Sequence, residues 1–188
     1  MKIQHLTCAL LGGWIAGSLF MIMVATQNFR SVDRLLAEPG RAGAQVEKMG
    51  HDGSRTFLRY QVSEQNRWYF ETWEKVQLAL GVALLAALWR QGKVLISLAA
   101  LMFALLLAER FYMTPEIIRL GRIIDFVPPA VSSPERDTFW RFHGAYSAVE
   151  LLKLALGFLL AGRLILGRKR IGNQVDVVDE ADHSHIDR

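Results

Sequence analysis

The residues of this sequence that are best suited to chemistry form one series near its C-terminus. The series contains His143, Tyr146, Ser147, Glu150 and Lys153, which recur at steps of three and four residues. Such steps place side chains on one face of a helix and bring Glu150 within pairing distance of Lys153. A base, a hydroxyl and an acid–ammonium pair on one face could bind an ion, carry a proton or activate a nucleophile.

Two further apolar stretches carry polar side chains at a corresponding depth. They hold Glu74 and Gln77 in one stretch and Glu109 and Arg110 in another. Ionisable residues inside apolar helices are costly, so they mark either a functional site or an internal pair. The sequence predicts one polar cluster from these residues and the C-terminal series. Two interpretations remain open: a vestibule open to the outside that binds an ion, a proton or a small ligand, and a satisfied network that fixes helix register.

A haem, a metal centre and a hydrolytic site each need an arrangement that the sequence supplies poorly. His5 and His143 stand at opposite ends of an apolar layer about 30 Å thick and cannot share one iron. Glu71 and Glu74 have the spacing of a metal motif, but only His143 from another helix could join them. Ser147 lies one turn from His143, a spacing that is common by chance. We therefore predict no cofactor, no metal and no catalytic residue.

The elements that must position these residues are four apolar stretches, at about residues 6–25, 72–90, 94–113 and 145–166. A membrane-spanning helix needs about 20 mostly apolar residues. Charged residues make up 21% of the chain, below the roughly 25% of soluble domains, and most of them lie between these stretches. The sequence predicts an all-α, polytopic membrane protein with a four-transmembrane-helix bundle.

The first long connection predicts an extended outer helical hairpin. Apolar residues at helical spacing continue past the first stretch as far as Pro39 and Gly40, which should end the helix. Residues 40–53 are rich in glycine and are expected to form a mobile loop. Ser54 is expected to cap the helix that leads into the second stretch.

The remaining connections predict a surface helix and a tail. Thr114 and Pro115 are expected to end the third stretch, and residues 117–124 to form a short helix in the membrane interface. Ser133 and Pro134 form a helix-start signature for the fourth stretch. Residues 1–170 then form the membrane domain, and residues 171–188 are predicted to be a disordered acidic tail.

Positive charge predicts the orientation of the chain. The turn at residues 89–93 (WRQGK) is short and basic, and Arg163, Arg168, Lys169 and Arg170 follow the fourth stretch. Short basic loops and flanks lie on the cytoplasmic side. Both termini are therefore predicted to be cytoplasmic, in a cell membrane of the bacterial inner-membrane type. The net charge of only +4 and this placement favour membrane anchoring over nucleic-acid binding.

These patterns predict an integral membrane protein without enzymatic activity. We expect it to be a structural or accessory subunit of a membrane complex, in contact with the lipid bilayer and with other membrane subunits or copies of itself. The alternative is a minimal ion or small-molecule transporter that uses the polar cluster in the outer leaflet.

Several short motifs resemble a known family. Residues 12–20 (GGWIAGSLF), the aromatic residues 67–73 (RWYFETW), the basic turn and residues 142–147 (FHGAYS) occur in this order. Together they resemble the transmembrane-protein-205-like group of small four-span membrane proteins, whose biochemical function is unknown. The similarity covers residues 6–166 and implies four spans. Tyr146, the Glu150–Lys153 step and the long outer connection depart from the group's pattern, and the resemblance carries no catalytic residue.

Overall fold

The fold is known from a computed structural model, which describes the backbone of residues 2–128 and 131–183 and the side chains of residues 3–128 and 131–166. All regular structure in these residues is helical, and no strand occurs in them. The elements are α1 (Lys2–Ala37), a 3-10 turn (Gly40–Ala42), α2 (Gly43–Met49), α3 (His51–Leu88), α4 (Lys93–Ala108), a π-helical turn (Glu109–Met113), α5 (Thr114–Ile124) and α6 (Pro134–His183).

The helices α1 and α3 form a long antiparallel pair. Asn28 donates a hydrogen bond to Asn66 near the tip, and Gln77 donates one to Ser18 farther along the same pair. A separate apolar core centred on Val32, Leu36 and Val62 closes the tip. The predicted helical hairpin and its stop before Pro39 and Gly40 both agree with the structure.

The tip itself differs from the expectation for residues 40–53. The structure has a 3-10 turn and α2 there in place of a mobile loop. Val46 of α2 packs against the apolar core of the tip, which supplies the stability that glycine-rich composition alone does not indicate. Gly50 separates α2 from α3 and has a φ of 73°, which glycine adopts without steric cost. Consequently α3 begins at His51, and Ser54 donates to the carbonyl oxygen of Val46 and does not cap the helix.

The third apolar stretch also continues beyond its predicted end. Helical structure runs without a break from Lys93 through the π-helical turn to Ile124. Pro115 lacks an N–H group, and in a regular α-helix its ring clashes with the preceding turn. The wider π-helical turn directly before Pro115 accommodates this ring, so the proline does not end the helix. The predicted separate helix at residues 117–124 is therefore an extension of α4.

The helices meet around an apolar core at the end of the bundle that holds the turn between α3 and α4. This core has Trp14 at its centre and contains the buried residues Leu11, Leu84, Leu88, Ala99, Met102, Leu106 and Leu160. Gly92 closes the turn with a φ of 128°. Two helices, Ile3–Ala37 and Lys93–Ile124, are long and apolar enough to cross a membrane.

The last helix starts where the sequence predicts and ends later. Ser133 accepts a hydrogen bond from the backbone N–H of Arg136 at 3.2 Å and caps the start of α6. The backbone is helical through His183, and the disorder expected from residue 171 stays a prediction. Extending an existing helix costs far less than nucleating one, and this favours continuation into a polar sequence. Residues 184–188 of the predicted tail lie outside the described residues.

Candidate functional site

Lys153 is the centre of a buried cluster of polar side chains. Its ammonium donates hydrogen bonds to Gln77 Oε1 at 3.1 Å, to Glu150 Oε1 at 2.9 Å and to Glu109 Oε2. The acceptors come from α3, from α6 itself and from the π-helical turn. Because an ammonium has three protons, each one has a protein acceptor. The Lys153 side chain is fully buried, so this pairing offsets the cost of removing its charge from water.

The glutamine of this cluster extends the connection to α1. While Gln77 Oε1 accepts from Lys153, Gln77 Nε2 donates to Ser18 Oγ at 3.1 Å. Both side chains are buried. One chain of hydrogen bonds therefore links α1, α3, the π-helical turn and α6.

Glu74 forms the second half of the cluster. Its Oε1 accepts hydrogen bonds from the hydroxyl groups of Thr114 and of Tyr146, the latter at 3.4 Å. Its Oε2 lies 3.8 Å from Arg110 Nε, and Arg110 Nη1 lies 3.9 Å from Glu71 Oε1. Glu74 is fully buried, whereas the side chains of Arg110 and Glu71 are 24% and 38% exposed. These two residues connect the buried cluster with the surface.

Helical spacing and small residues explain the assembly. Glu74 and Gln77 stand three residues apart on α3, as Glu150 and Lys153 do on α6, so each pair shares a face. Gly17 lies directly against the ring of Trp73, which lets α1 approach α3 closely. This close approach brings Ser18 within reach of Gln77.

The charges of the cluster do not balance. Glu74, Glu109 and Glu150 contribute three carboxyl groups, against the two cations Lys153 and Arg110. Two carboxyl oxygens, Glu74 Oε2 and Glu109 Oε1, are buried without a hydrogen-bond partner. Chemically, such an arrangement can fix helix register through its pairs and can also take up positive charge at its free oxygens.

The structure unites most of the predicted site residues. Those that meet in the cluster are Glu74, Gln77, Glu109, Arg110, Glu150 and Lys153. His143 and Ser147 do not join them. Successive helical residues are turned by about 100°, so Tyr146 takes the inward position on α6 and Ser147 points away. Ser147 is exposed and donates to the carbonyl oxygen of His143, while the His143 ring stacks on Phe139.

These positions also bear on the alternative chemistries. Because Ser147 bonds to the backbone of His143 and not to its imidazole, the pair lacks the contact of a nucleophile with its base. Within residues 3–128 and 131–166, no group of three or more His, Cys, Asp or Glu side chains could hold a metal ion. The cluster is closed to solvent at Lys153, Gln77 and Glu109, unlike a vestibule open to the outside.

Two members of the cluster, Thr114 and Ser18, were missed by the sequence prediction. Thr114 precedes a proline and was expected to begin a loop, although it lies inside a continuous helix. Ser18 stands in an apolar stretch, where a lone hydroxyl gives little signal. Tyr146 was part of the predicted helical series, and the spacing of residues 146, 150 and 153 places it on the face that packs inward.

A second ionic network joins α3 to the end of α5. Arg67 Nη1 and Nη2 donate to Asp125 Oδ2 and Oδ1 at 2.9 and 2.8 Å, and Arg67 Nη1 also donates to Glu64 at 2.6 Å. Hydrogen bonds from Arg122, and then from Arg67, lower the pKa of Glu64 below its ordinary value, against the opposing effect of burial. Gly121 leaves the space that Arg67 occupies. This network holds α5 against α3.

Comparison of the chain with known protein families, with curated proteins and with solved structures finds no match.

Proposed function

We propose that this protein is an integral membrane protein whose four spans lie at about residues 6–25, 72–90, 94–113 and 145–166. In this proposal it acts without enzymatic activity as a structural or accessory subunit of a membrane complex. The observation that carries the proposal is the polarity of the bundle, which has charged side chains paired inside and large apolar side chains outside. We also propose a relationship to the transmembrane-protein-205-like group, because that group has four spans as well.

The outward faces of the helices support lipid as their surroundings. Each of the four long helical segments exposes large apolar side chains at the level of the buried cluster or beside it, including Phe20, Val82, Leu101, Leu151 and Phe158. Soluble proteins rarely expose contiguous apolar surface of this kind. In lipid such a surface is favourable, and the charges of α3 and α6 are tolerated because they face one another inside the bundle.

The closed form of the cluster supports a structural role. Every proton of the Lys153 ammonium is used by Gln77, Glu109 and Glu150. An exposed stripe of Ala100, Ala104 and Ala108 runs along α4. Small residues at this spacing let another membrane helix approach closely, and an accessory subunit would dock its partner there.

Purification in mild detergent tests this role. The particle mass is measured after extraction from membranes, with wild type compared to Ala104→Leu, which obstructs the stripe, and to Leu101→Ala as a neighbouring control. A stable hetero-complex that Ala104→Leu disrupts supports the accessory role. A chain that dissolves as a monomer in buffer without detergent contradicts the membrane proposal.

The orientation is part of the same proposal. The basic turn at residues 89–93 and the basic residues after the fourth span support the proposal that both termini are in the cytoplasm of a bacterial-type cell. A C-terminal reporter that is active on one side of the membrane tests this placement. A signal from outside the cell would reverse it.

A second candidate function is the transport or binding of an ion or small molecule. The excess of one carboxyl group over the cations of the cluster favours it. A homo-oligomer in the detergent experiment, without other subunits, would support this candidate over the accessory role.

A further inference from the structure

We propose that the buried cluster binds one exchangeable proton on the carboxyl groups of Glu74 and Glu109, and that this proton enters past Glu71 and Arg110. The inference rests on the proposed four-helix membrane bundle and identifies the ion of its second candidate function. A hydronium ion of the solvent gives up the proton, so one of its O–H bonds breaks, one O–H bond forms on a carboxylate oxygen, and a water molecule remains.

The first argument is the charge of the groups that face one another in the cluster. The π-helical turn and α6 supply both cations, and α1 contributes no charged group between residues 6 and 29. The titratable and charged groups are Glu71 and Glu74 from α3, Glu109 and Arg110 from the π-helical turn, and Tyr146, Glu150 and Lys153 from α6. With Glu71 at the surface, three buried carboxyl groups face two cations. An uncompensated charge is costly in such surroundings, and one bound proton removes it.

The second argument is the position of the free oxygens. Glu74 Oε2 and Glu109 Oε1 are buried and accept no hydrogen bond, and both side chains are fully buried. The carboxyl oxygens that do contact Lys153, Glu109 Oε2 and Glu150 Oε1, accept hydrogen bonds from its ammonium. The two oxygens are therefore the positions at which a proton can bind without displacing an existing hydrogen bond.

The backbone at Glu109 supplies an independent argument. Glu109 is the first residue of the π-helical turn, and its carbonyl oxygen accepts from the N–H of Thr114, five residues later. The side chain of the same Thr114 donates to Glu74. Turns of this type occur frequently at functional sites, and here one turn places a carboxyl group and the hydroxyl partner of another in one cluster.

The path of the proton follows from the graded exposure of the ion pairs. Glu71 is 38% exposed, Arg110 is 24% exposed and Glu74 is fully buried. Arg110 lies 3.9 Å from Glu71 and 3.8 Å from Glu74. Only the Arg110 side chain therefore lies between a proton on the Glu71 carboxyl group and the buried carboxyl group of Glu74.

A proton fits this site better than a metal cation does. A sodium-type or calcium-type ion requires several oxygen ligands together, and among the described residues no group of three or more His, Cys, Asp or Glu side chains could hold a metal ion. Lys153 and Arg110 would also repel an added metal cation. A proton needs a single oxygen and becomes part of a neutral carboxyl group.

Infrared difference spectroscopy of the purified protein in lipid nanodiscs tests the inference. The wild type should show the C=O stretch of a buried protonated carboxyl group in mildly acidic buffer, with a downshift in D2O. Glu109→Gln and Glu74→Gln should each lose this band, because one fewer carboxyl group leaves two acids facing two cations. Together with the band, both variants should lose the uptake of one proton per chain that the wild type shows on acidification. Glu116→Gln, at an exposed acid paired with Arg119, is the matched control and should keep both signals.

Three results overturn the inference. Absence of the band in the wild type, or its persistence in either cluster variant that folds, excludes a shared buried proton. Loss of the band on addition of Na⁺ would show a metal-cation site. If the chain needs neither lipid nor detergent, the membrane proposal fails, and the same spectra recorded in buffer still decide the proton site. If one cluster variant does not fold by circular dichroism, the other provides the comparison.

Discussion

Lys153 and Gln77 meet across the bundle with 3.1 Å between the ammonium nitrogen and the amide oxygen. The contact matters because both side chains also form hydrogen bonds with other helices. Lys153 also binds two carboxylates, and Gln77 passes the connection to Ser18 on α1. A charge in the interior is thereby shared among helices that are distant along the chain. Predictions about stability follow from the cost of breaking this arrangement.

Replacing Lys153 should destabilise the protein strongly. In Lys153→Met, Glu109 and Glu150 lose the ammonium that compensates their charge, and removal of one partner of a buried pair costs about 3–5 kcal/mol. Thermal unfolding in detergent, followed by circular dichroism, measures the loss. Lys48→Met, at an exposed position on α2, is the control and should unfold like the wild type. An unchanged midpoint for Lys153→Met would contradict a buried pair.

Adding a methyl group at Gly81 should also destabilise the bundle. A Cβ atom at this position would collide with the ring of Phe103 and approach Trp14 at 3.2 Å. Overpacking of this kind costs typically about 1–3 kcal/mol. Gly13→Ala is the matched control, because a Cβ atom there has nothing within 4 Å and alanine favours helix by about 1 kcal/mol. Equal unfolding midpoints for the two variants would show that α1, α3 and α4 are not packed as described.

The bidentate ion pair between Arg67 and Asp125 should hold the end of α5 in place. Asp125→Asn removes the charge while keeping the shape, and the loss of a buried pair costs about 3 kcal/mol at the low end of its range. Limited proteolysis should then cleave near residues 125–128 faster than in the wild type. Glu116→Gln changes an exposed pair with Arg119 and should leave the cleavage rate unaltered. Equal cleavage rates for Asp125→Asn and the wild type would show that the ion pair does not hold the end of α5 in place.

Lowering the pH should weaken the ionic network that Glu64 forms with Arg67 and Arg122, and so lower the stability of the fold. Hydrogen bonds from Arg122 and Arg67 lower the pKa of Glu64 below its ordinary value of 4.5. A lowered folded-state pKa adds stability that is present above the unfolded value and is lost as pH falls through the folded value. The unfolding midpoint of the wild type should therefore drop on acidification below 4.5. Glu64→Gln should show a smaller drop over the same interval, and parallel curves would exclude this contribution.

The sequence predicts the helical content and most of the cluster because both depend on local patterns. Spacings of three residues on α3 and α6 are sufficient to place Glu74 with Gln77 and Glu150 with Lys153. Thr114 was beyond such reasoning, since its role depends on Pro115 being absorbed by a π-helical turn. His143 and Ser147 were included wrongly because a helical series defines a face but not which face packs inward. That choice is made by tertiary contacts such as the one between Tyr146 and Glu74.

The π-helical turn lets one continuous helix present the correct side to two sets of neighbours. A single residue absorbed by the π-helical turn sets every later side chain back by about 100° around the axis, relative to a regular α-helix of the same sequence. Gly121 consequently lies about 20° from Glu109 in this projection, whereas an unbroken α-helix would separate them by about 120°. Deleting one residue within 110–113 would leave eleven steps between Glu109 and Gly121, which a regular α-helix turns through the same angle of about 20°. Such a shortened helix would keep Gly121 toward Arg67, whereas a regular α-helix of the full length would turn its distal third away.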